Sequence, residues 1–376
     1  MKISLISDNL QKKLLFVNHA ISTRSQLPVL LNFLLEAKEG KLIISATDLE
    51  IGIITEVSAK TEKRGTITVP AKTFVELIEM LPSGKTTLET TGEGLVVSGE
   101  KEKNVFQTSP PEDFPKLYED KGQQIMELKK ETIEKEFSKV VFAASPDSER
   151  PALSGVLVKE EKDGFFLVAT DGYRLSLKKH ALQNAKKKQA EGDVSIIIPS
   201  RVIRELVQMG KDTETEDVGV YISKEKNQII FSQNDTTLIG RLIEAEFPNY
   251  EKIIPADFST KTIFDKDTLQ KAIKAAYVFA RQTAGIIKLS IQKNRIIISA
   301  NAPSVGKNQI EVEAKTTGEE NEIAFNARYL LDFLSNTDSE TISFEMNGPL
   351  NPGVFKETND PSFMHLIMPI RVQQEQ

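Results

Sequence analysis

The chain has 376 residues, with 48 Lys and Arg against 54 Asp and Glu, a formal net charge of −6 and no cysteine. That length suits two or three domains. The missing cysteines exclude a disulfide framework and thiolate chemistry, and no apolar run reaches the roughly 18 residues of a membrane span.

The first predicted element is a helix starting at Asp8, where Leu10, Leu14, Val17 and Ile21 form one stripe at helical spacing. The period then drops to two, as in Lys41–Ala46, which reads as a strand. A second helix is predicted over Val69–Leu81 on the stripe Phe74, Leu77, Ile78, Leu81. Pro70 sits just inside its start, where a missing N–H costs nothing. Leu95–Ser98 returns to the strand pattern, and Leu117–Gln124 reads as a linker.

The chain then says nearly the same thing twice more. A helix from Glu131 carries Ile133, Phe137, Val140 and Ala144; Gly164–Ala169 follows as a strand; Ile198–Gly210 is a helix on Ile203, Leu206 and Val207; Gln228–Ser232 is a strand. After a linker at Pro255–Thr260, a helix from Asp267 carries Leu269, Ile273, Ala276 and Ala280. Arg295–Ala300 is a strand, Phe325–Asn336 a helix on Leu330, Phe333 and Leu334 with Asn326 as its N-cap, and Glu340–Phe344 a strand. A repeat of about a third of the chain is too long for a solenoid and has the size of a domain. The expected fold class is α+β: three tandem copies, spanning 1–122, 123–256 and 257–376, each with two helices gathered on one face of antiparallel sheet.

Equivalent places on the helices carry cations. Two residues past the first apolar position, about 200° round the helix, stand Lys12, Lys135 and Lys271; the second helices offer Lys72, Arg201 and Arg328 in their first turns. The macrodipole disfavours a cation there, so the recurrence points to another use. The six helical segments together carry +5, which leaves −11 for the rest. One basic surface on an acidic chain, without a reading helix, suits contact with phosphate backbone at no sequence preference. The alternative is an ordinary solvated helix face copied three times.

Other motifs carry less. Ser83-Gly-Lys-Thr-Thr87 has Glu79 where a phosphate loop needs glycine, and strand follows it. His19, His180 and His365 lack metal-ligand spacing. No metal, cofactor or catalytic constellation is expected. Thr47-Asp48 and Thr170-Asp171-Gly172 are the candidates for a rival reading, a metal-dependent phosphoryl transferase, but Asp and Gly between strands usually form turns. A β-rich scaffold without DNA contact is the remaining alternative. The end, Leu366-Ile-Met-Pro-Ile-Arg-Val372, exposes apolar residues unless it closes a sheet; with Tyr173 and Leu175 it would form an adaptable groove for a peptide.

Over its full length the chain resembles the bacterial β sliding clamps, the processivity subunits of DNA polymerase III. The resemblance rests on Leu27-Pro-Val-Leu30, Ala46-Thr-Asp-Leu-Glu50, Val69-Pro-Ala71, Asp113-Phe-Pro115, Ala169-Thr-Asp-Gly-Tyr-Arg-Leu175, Phe247-Pro-Asn-Tyr250, Asn326-Ala-Arg-Tyr-Leu-Leu-Asp332 and Met368-Pro-Ile-Arg371. It implies a non-catalytic, cytoplasmic, head-to-tail homodimer. Six domains would form a ring that slides on duplex DNA and tethers the polymerase III core, the clamp loader and other clamp-binding proteins. It implies a partner-peptide cleft at Leu153, Thr170, Gly172, Tyr173, Arg174, Leu175, Pro248, Ile253, Asn326, Tyr329, Met368, Pro369, Ile370 and Arg371. It implies DNA contact at Arg24 beside the six helix cations, and a dimer interface at Tyr277 and Val278 facing the strand around Phe106. The family often has His at Tyr173 and Arg at Lys252, which bears on partner preference.

Simple geometry also favours two chains. A domain of this size is about 35 Å across. Three leave almost no hole, whereas six leave one on the order of 30 Å, enough for duplex DNA of about 20 Å.

Overall fold

The predicted stripes are what the protein buries. Leu10, Leu14 and Val17, then Ile133, Phe137, Val140 and Ala144, then Leu269, Ile273, Ala276 and Ala280 are all buried, as are Phe74 and Ile78, Ile203 and Leu206, and Leu330, Phe333 and Leu334. The computed structural model describes residues 1–22, 25–118, 120–147, 149–161, 164–181, 195–211, 217–223 and 227–371.

The first third holds strands β1 (Lys2–Ile6), β2 (Asn32–Lys38), β3 (Lys41–Thr47), β4 (Ile51–Ser58), β5 (Lys60–Lys63), β6 (Gly65–Pro70), β7 (Lys85–Thr91), β8 (Gly94–Ser98) and β9 (Lys103–Phe106), with helices α1 (Ser7–Val17) and α2 (Ala71–Met80). The middle third holds β10 (Gln123–Lys129), β11 (Gly155–Glu161), β12 (Gly164–Thr170), β13 (Arg174–Ala181), β14 (Ser195–Pro199), β15 (Asp217–Ser223), β16 (Gln228–Gln233) and β17 (Thr236–Arg241). Its first helix is broken into α3 (Lys130–Thr132), a π-helical turn (Ile133–Phe137) and α4 (Ser138–Val141); its second is α5 (Ser200–Lys211). The last third holds β18 (Thr260–Asp265), β19 (Ile286–Gln292), β20 (Arg295–Ala302), β21 (Gly306–Gly318), β22 (Asn321–Asn326), β23 (Thr341–Met346), β24 (Gly353–Glu357) and β25 (Phe363–Ile367), with α6 (Lys266–Ala280) and α7 (Ala327–Ser335).

Three details differ from the sequence reading. A strand (β1, β10, β18) precedes the first helix of each third, and β10 and β18 begin at the ends of the expected linkers. Pro70 and Pro199 close the preceding strands and stand one residue before their helices. The expected unbroken helix after Glu131 contains the π turn, a feature that side-chain periodicity does not report. The Asn326 cap is as expected: its Oδ1 accepts from the Arg328 N–H at 3.0 Å.

The chain forms two compact units, residues 1–134 with 201–242 and residues 135–200 with 243–376. The first unit holds a sheet in the order β5-β1-β7-β8-β9 and another in the order β10-β15-β16-β17-β4-β3-β2-β6. The second unit is built on one sheet, β14-β11-β12-β13-β25-β24-β23-β18-β21-β20-β19-β22. The thirds are therefore joined through backbone. β4 of the first pairs antiparallel with β17 of the middle, and β13 of the middle pairs the same way with β25 of the last. Among the described residues, β9 is left on an edge, and Gly306–Glu313 of β21 pairs only with β20.

A buried ion network ties the second unit together. Lys139 of α4 reaches Glu357 at 2.9 Å and Asp360 at 3.0 Å; Lys178 of β13 reaches Asp360 at 2.6 Å and Glu136 at 3.1 Å. Burial pushes the Asp360 carboxyl up, but donors from Lys178, Ser362 and Lys139 outweigh it and hold the group well below the usual carboxylate range. Burial likewise opposes the Lys139 charge, and Glu357 and Asp360 reverse that effect, so its pKa is raised.

His365 of β25 is fully buried, its Nδ1 2.7 Å from the Ser176 hydroxyl and its ring stacked on Phe333 at 5.1 Å. Burial, helped by the nearby Arg174 charge, pushes its pKa well below the imidazole range. The folded state therefore keeps it neutral while the unfolded chain takes up a proton below about pH 6.5. Stability is full above that pH and should fall, by up to about 1.4 kcal/mol per pH unit, as pH drops from there toward the folded pKa. Thermal denaturation between pH 5 and 7 tests this. His365→Phe should flatten the slope, and an unchanged slope would assign it to other groups.

Candidate functional site

The Thr170–Arg174 turn organises the largest group of predicted site residues. Thr170 Oγ1 donates to the Arg174 carbonyl (2.6 Å) and accepts from the Gly172 N–H (3.0 Å); Asp171 Oδ1 accepts from the N–H groups of Tyr173 (2.9 Å) and Arg174 (3.0 Å). This self-bonded turn needs a left-handed residue, and Gly172 supplies it at φ +91°. Tyr173 is left 61 % exposed, while Leu175, next along β13, is fully buried.

The C-terminal segment docks beside this turn. The Met368 N–H donates to the Tyr173 carbonyl and the Ile370 N–H to the Ala324 carbonyl, each at 2.8 Å. Met368, Pro369 and Ile370 are thus pinned half-buried, with Arg371 exposed. Below them Leu175, Leu366 and Val354 form an apolar floor, against which Ala152, Phe247, Tyr250 and Met368 pack. Predicted residues flank these packing groups. Leu153 follows Ala152 and is half-buried, exposed Pro248 lies next to Phe247, and Ile253 (40 % exposed) donates its N–H to the Tyr250 carbonyl. Half-buried Tyr329 stands in the first turn of α7, which Asn326 caps.

One predicted member turns its side chain inward. Arg174 is buried, and its guanidinium binds Asp171, Asp332 and the Phe142 carbonyl under the Tyr329 ring. Exposed Arg150 borders the same turn. Its Nη1 lies 3.8 Å from where a Cβ on Gly172 would stand, at the exposed side of the turn.

The helix cations separate into two groups. Lys12, Lys72, Lys135 and Lys271 are exposed, and among the described residues none has a carboxylate within ion-pair distance. Arg201 departs from the expectation of a free cation. It is half-buried, ion-paired to Asp48, and donates to the His19 carbonyl at 2.7 Å. Exposed Arg204, one turn on, has no carboxylate within ion-pair distance among the described residues. Arg328 is exposed but donates Nε–H to the Tyr277 hydroxyl at 2.6 Å. Arg24 lies outside the described residues.

At the expected interface Phe106 is turned inward, its ring 5.6 Å from that of Phe74. Its neighbour Val105 faces out at 44 % exposure, as do Val278 and Val305 at 51 % each. Tyr277 is half-buried under Arg328.

The Thr-Asp segments are turns, as expected. In the first third, Thr47 and Asp48 make the same four hydrogen bonds as Thr170 and Asp171, with Leu49 at φ +80° in the glycine's place. Among the described residues no group of three or more His, Asp or Glu is arranged to hold a metal, and no helix is long and apolar enough to cross a membrane.

Comparison with known proteins gives one answer along the whole chain. Family models for the N-terminal, central and C-terminal domains of the DNA polymerase III beta subunit match residues 1–118, 127–249 and 251–371. The beta sliding clamp of Synechococcus elongatus is 30% identical over 378 residues, covering 99% of this chain and 100% of that one. The Staphylococcus aureus clamp is 28% identical over 364 residues, 94% of each. Among solved structures, the Thermotoga maritima DNA polymerase III beta subunit superposes with a TM-score of 0.91 at 27% identity, covering 99% of each chain. The Bacillus subtilis sliding clamp gives 0.92 at 25% identity, again over 99% of each. A Pseudomonas aeruginosa sliding clamp bound to griselimycin gives 0.90 at 25%, over 99% of this chain and 100% of that one. Three tandem clamp domains, their repeated helices and their backbone-paired junctions thus have one explanation: the chain belongs to the DNA polymerase III beta subunit family, the beta sliding clamps.

Proposed function

We infer that this chain is the DNA sliding clamp of a replicative polymerase. Two copies close head to tail into a ring around duplex DNA, and the ring does no chemistry itself. Its domains span 1–122, 123–256 and 257–376, and it works in the cytoplasm. The observation that carries this reading is the unfinished sheet. Two of the three junctions that the repeat calls for are made within the chain, β4 with β17 and β13 with β25. The edges of β9 and β21 are the equivalents left for a second copy.

The repeat also supports a register. Gly52 opposes Ile239, and Leu175 opposes Leu366. Lys307 holds the place of Gly52 and Leu175, each lying opposite the residue that follows the shared Ala46, Ala169 or Ala300. Val105 holds the place of Ile239 and Leu366, opposite Val96 as they are opposite Ile230 and Val354. Lys307 of one copy should therefore meet Val105 of the next, which gives exposed Val105 a partner.

Inside the ring, Lys12, Lys72, Lys135, Lys271, Arg204 and Arg24 give mobile, sequence-independent contacts to phosphate, and Arg201 and Arg328, already held by Asp48 and Tyr277, add less. The apolar surface around Tyr173, Leu175, Met368 and Pro369 takes Leu and Phe side chains of a short linear motif. Polymerase core, clamp loader and other clamp-binding proteins would share it.

The test is topological. After loading, the protein should stay on closed circular DNA and run off the same DNA once it is cut. Equal retention on both would overturn the ring. Each lysine changed to alanine should lower the slope of log affinity against log salt by about 0.9.

A further inference from the structure

We propose that Arg174 is a positioning residue rather than a peptide contact: with Asp171 and Asp332 it latches the Tyr173 turn to helix α7 and so fixes Tyr329 at the wall of the cleft. This rests on the cleft reading above. The guanidinium is buried and three of its five N–H groups are already taken. Nε–H donates to Asp171 Oδ2 at 3.0 Å, Nη1 to Asp332 Oδ2 at 2.5 Å, and Nη2 to the Phe142 carbonyl at 3.0 Å. One face lies 4.6 Å from the Tyr329 ring centre. A planar fork with three fixed acceptors and a stacked ring is a rigid spacer between two elements.

The other junction shows the same tie made with different residues. There Asp48, in the place of Asp171, is bound directly by Arg201 from the first turn of α5. The residue of α7 that matches Arg201 is Arg328, and it is turned away to Tyr277. Arg174 and Asp332 restore the link by another route. A tie kept by two different side-chain solutions points to the spacing between turn and helix as the quantity that matters. Only the second junction uses it for a ligand, because Gly172 leaves the turn open where Leu49 carries a side chain.

The experiment uses the full-length dimer and a short fluorescein-labelled peptide carrying Leu and Phe. Asp332→Asn should weaken peptide binding about tenfold while dimer mass and retention on circular DNA stay as in the wild type. Asp332→Glu should recover much of the loss. In parallel, 13C-tyrosine NMR, with Tyr329 assigned by its loss in Tyr329→Phe, should show the Tyr329 signal shifted or broadened in Asp332→Asn and restored in Asp332→Glu. Wild-type affinity in Asp332→Asn, or an unmoved Tyr329 signal, would overturn the latch. If Asp332→Asn does not fold, Arg174→Lys keeps the charge but loses the fork and is read in the same two ways. If the peptide binds wild type and Met368→Ala alike, the cleft reading has failed, and the Tyr329 signal alone decides the latch.

Discussion

Lys139→Met should lower the stability of the second unit by about 3–5 kcal/mol. The side chain is 8% exposed and its partner Glu357 only 1%. Methionine fills the volume but leaves the Glu357 carboxylate without a cation, holding only the Thr337 hydroxyl and the Asp338 N–H. Asp360 fares better, because Lys178 remains 2.6 Å away. The cost is thus that of a charge left unpaired and desolvated, and replacing both partners should behave differently. In Lys139→Met/Glu357→Leu most of the stability should return, less what the stranded Thr337 and Asp338 groups cost. Urea denaturation of the single and double variants measures both. A single variant within 1 kcal/mol of wild type would mean that water reaches the site. Acid should mimic the lesion: Asp360, with its pKa depressed, contributes fully above about pH 4 and loses that contribution as pH falls below it.

Val105→Lys should abolish the ring without unfolding either unit. Val105 stands 44% exposed on the edge strand β9, and a lysine on an edge strand is a common natural block to strand addition. In the inferred register it would also face Lys307, a like-charge pair directly opposite. Sedimentation equilibrium should give the mass of one chain where wild type gives two, and retention on circular DNA should vanish with it. Far-UV circular dichroism should be unchanged. A dimer of wild-type strength would place the interface on other strands. Phe106→Ala makes a useful contrast: its ring packs on Phe74, so the loss should appear first as lower stability of the first unit.

The contrast between Val105 and Phe106 shows where sequence reading ran out. Strand parity decides which side chain points outward, and a one-residue slip exchanges the two faces. Helix stripes are more forgiving: three or four apolar residues at helical spacing fix a buried face, so α1, α2, α5, α6 and α7 were legible. The strands that open each third were not. β1 is five residues long and runs straight into α1, and β10 and β18 begin where the composition suggested linkers. The cation pattern was legible as pattern but not as pairing. Whether Arg201 is free depends on Asp48, far away in sequence, and the same holds for Arg174 and Asp332. The cleft came from motif resemblance. That one of its members lies beneath the surface is tertiary information.

The seams between thirds consist of main-chain N–H and C=O groups, which every residue but proline carries alike. Substitutions accumulating along β4, β13, β17 or β25 leave that stitching in place as long as the strands stay extended. Such a joint tolerates evolutionary drift, which fits relatives that have lost about seven residues in ten of identity yet keep the same shape. The same indifference means that two diverged clamps meeting in one cell have no backbone barrier to forming a mixed ring. Whatever keeps paralogues apart must be written in the few side chains along the seam.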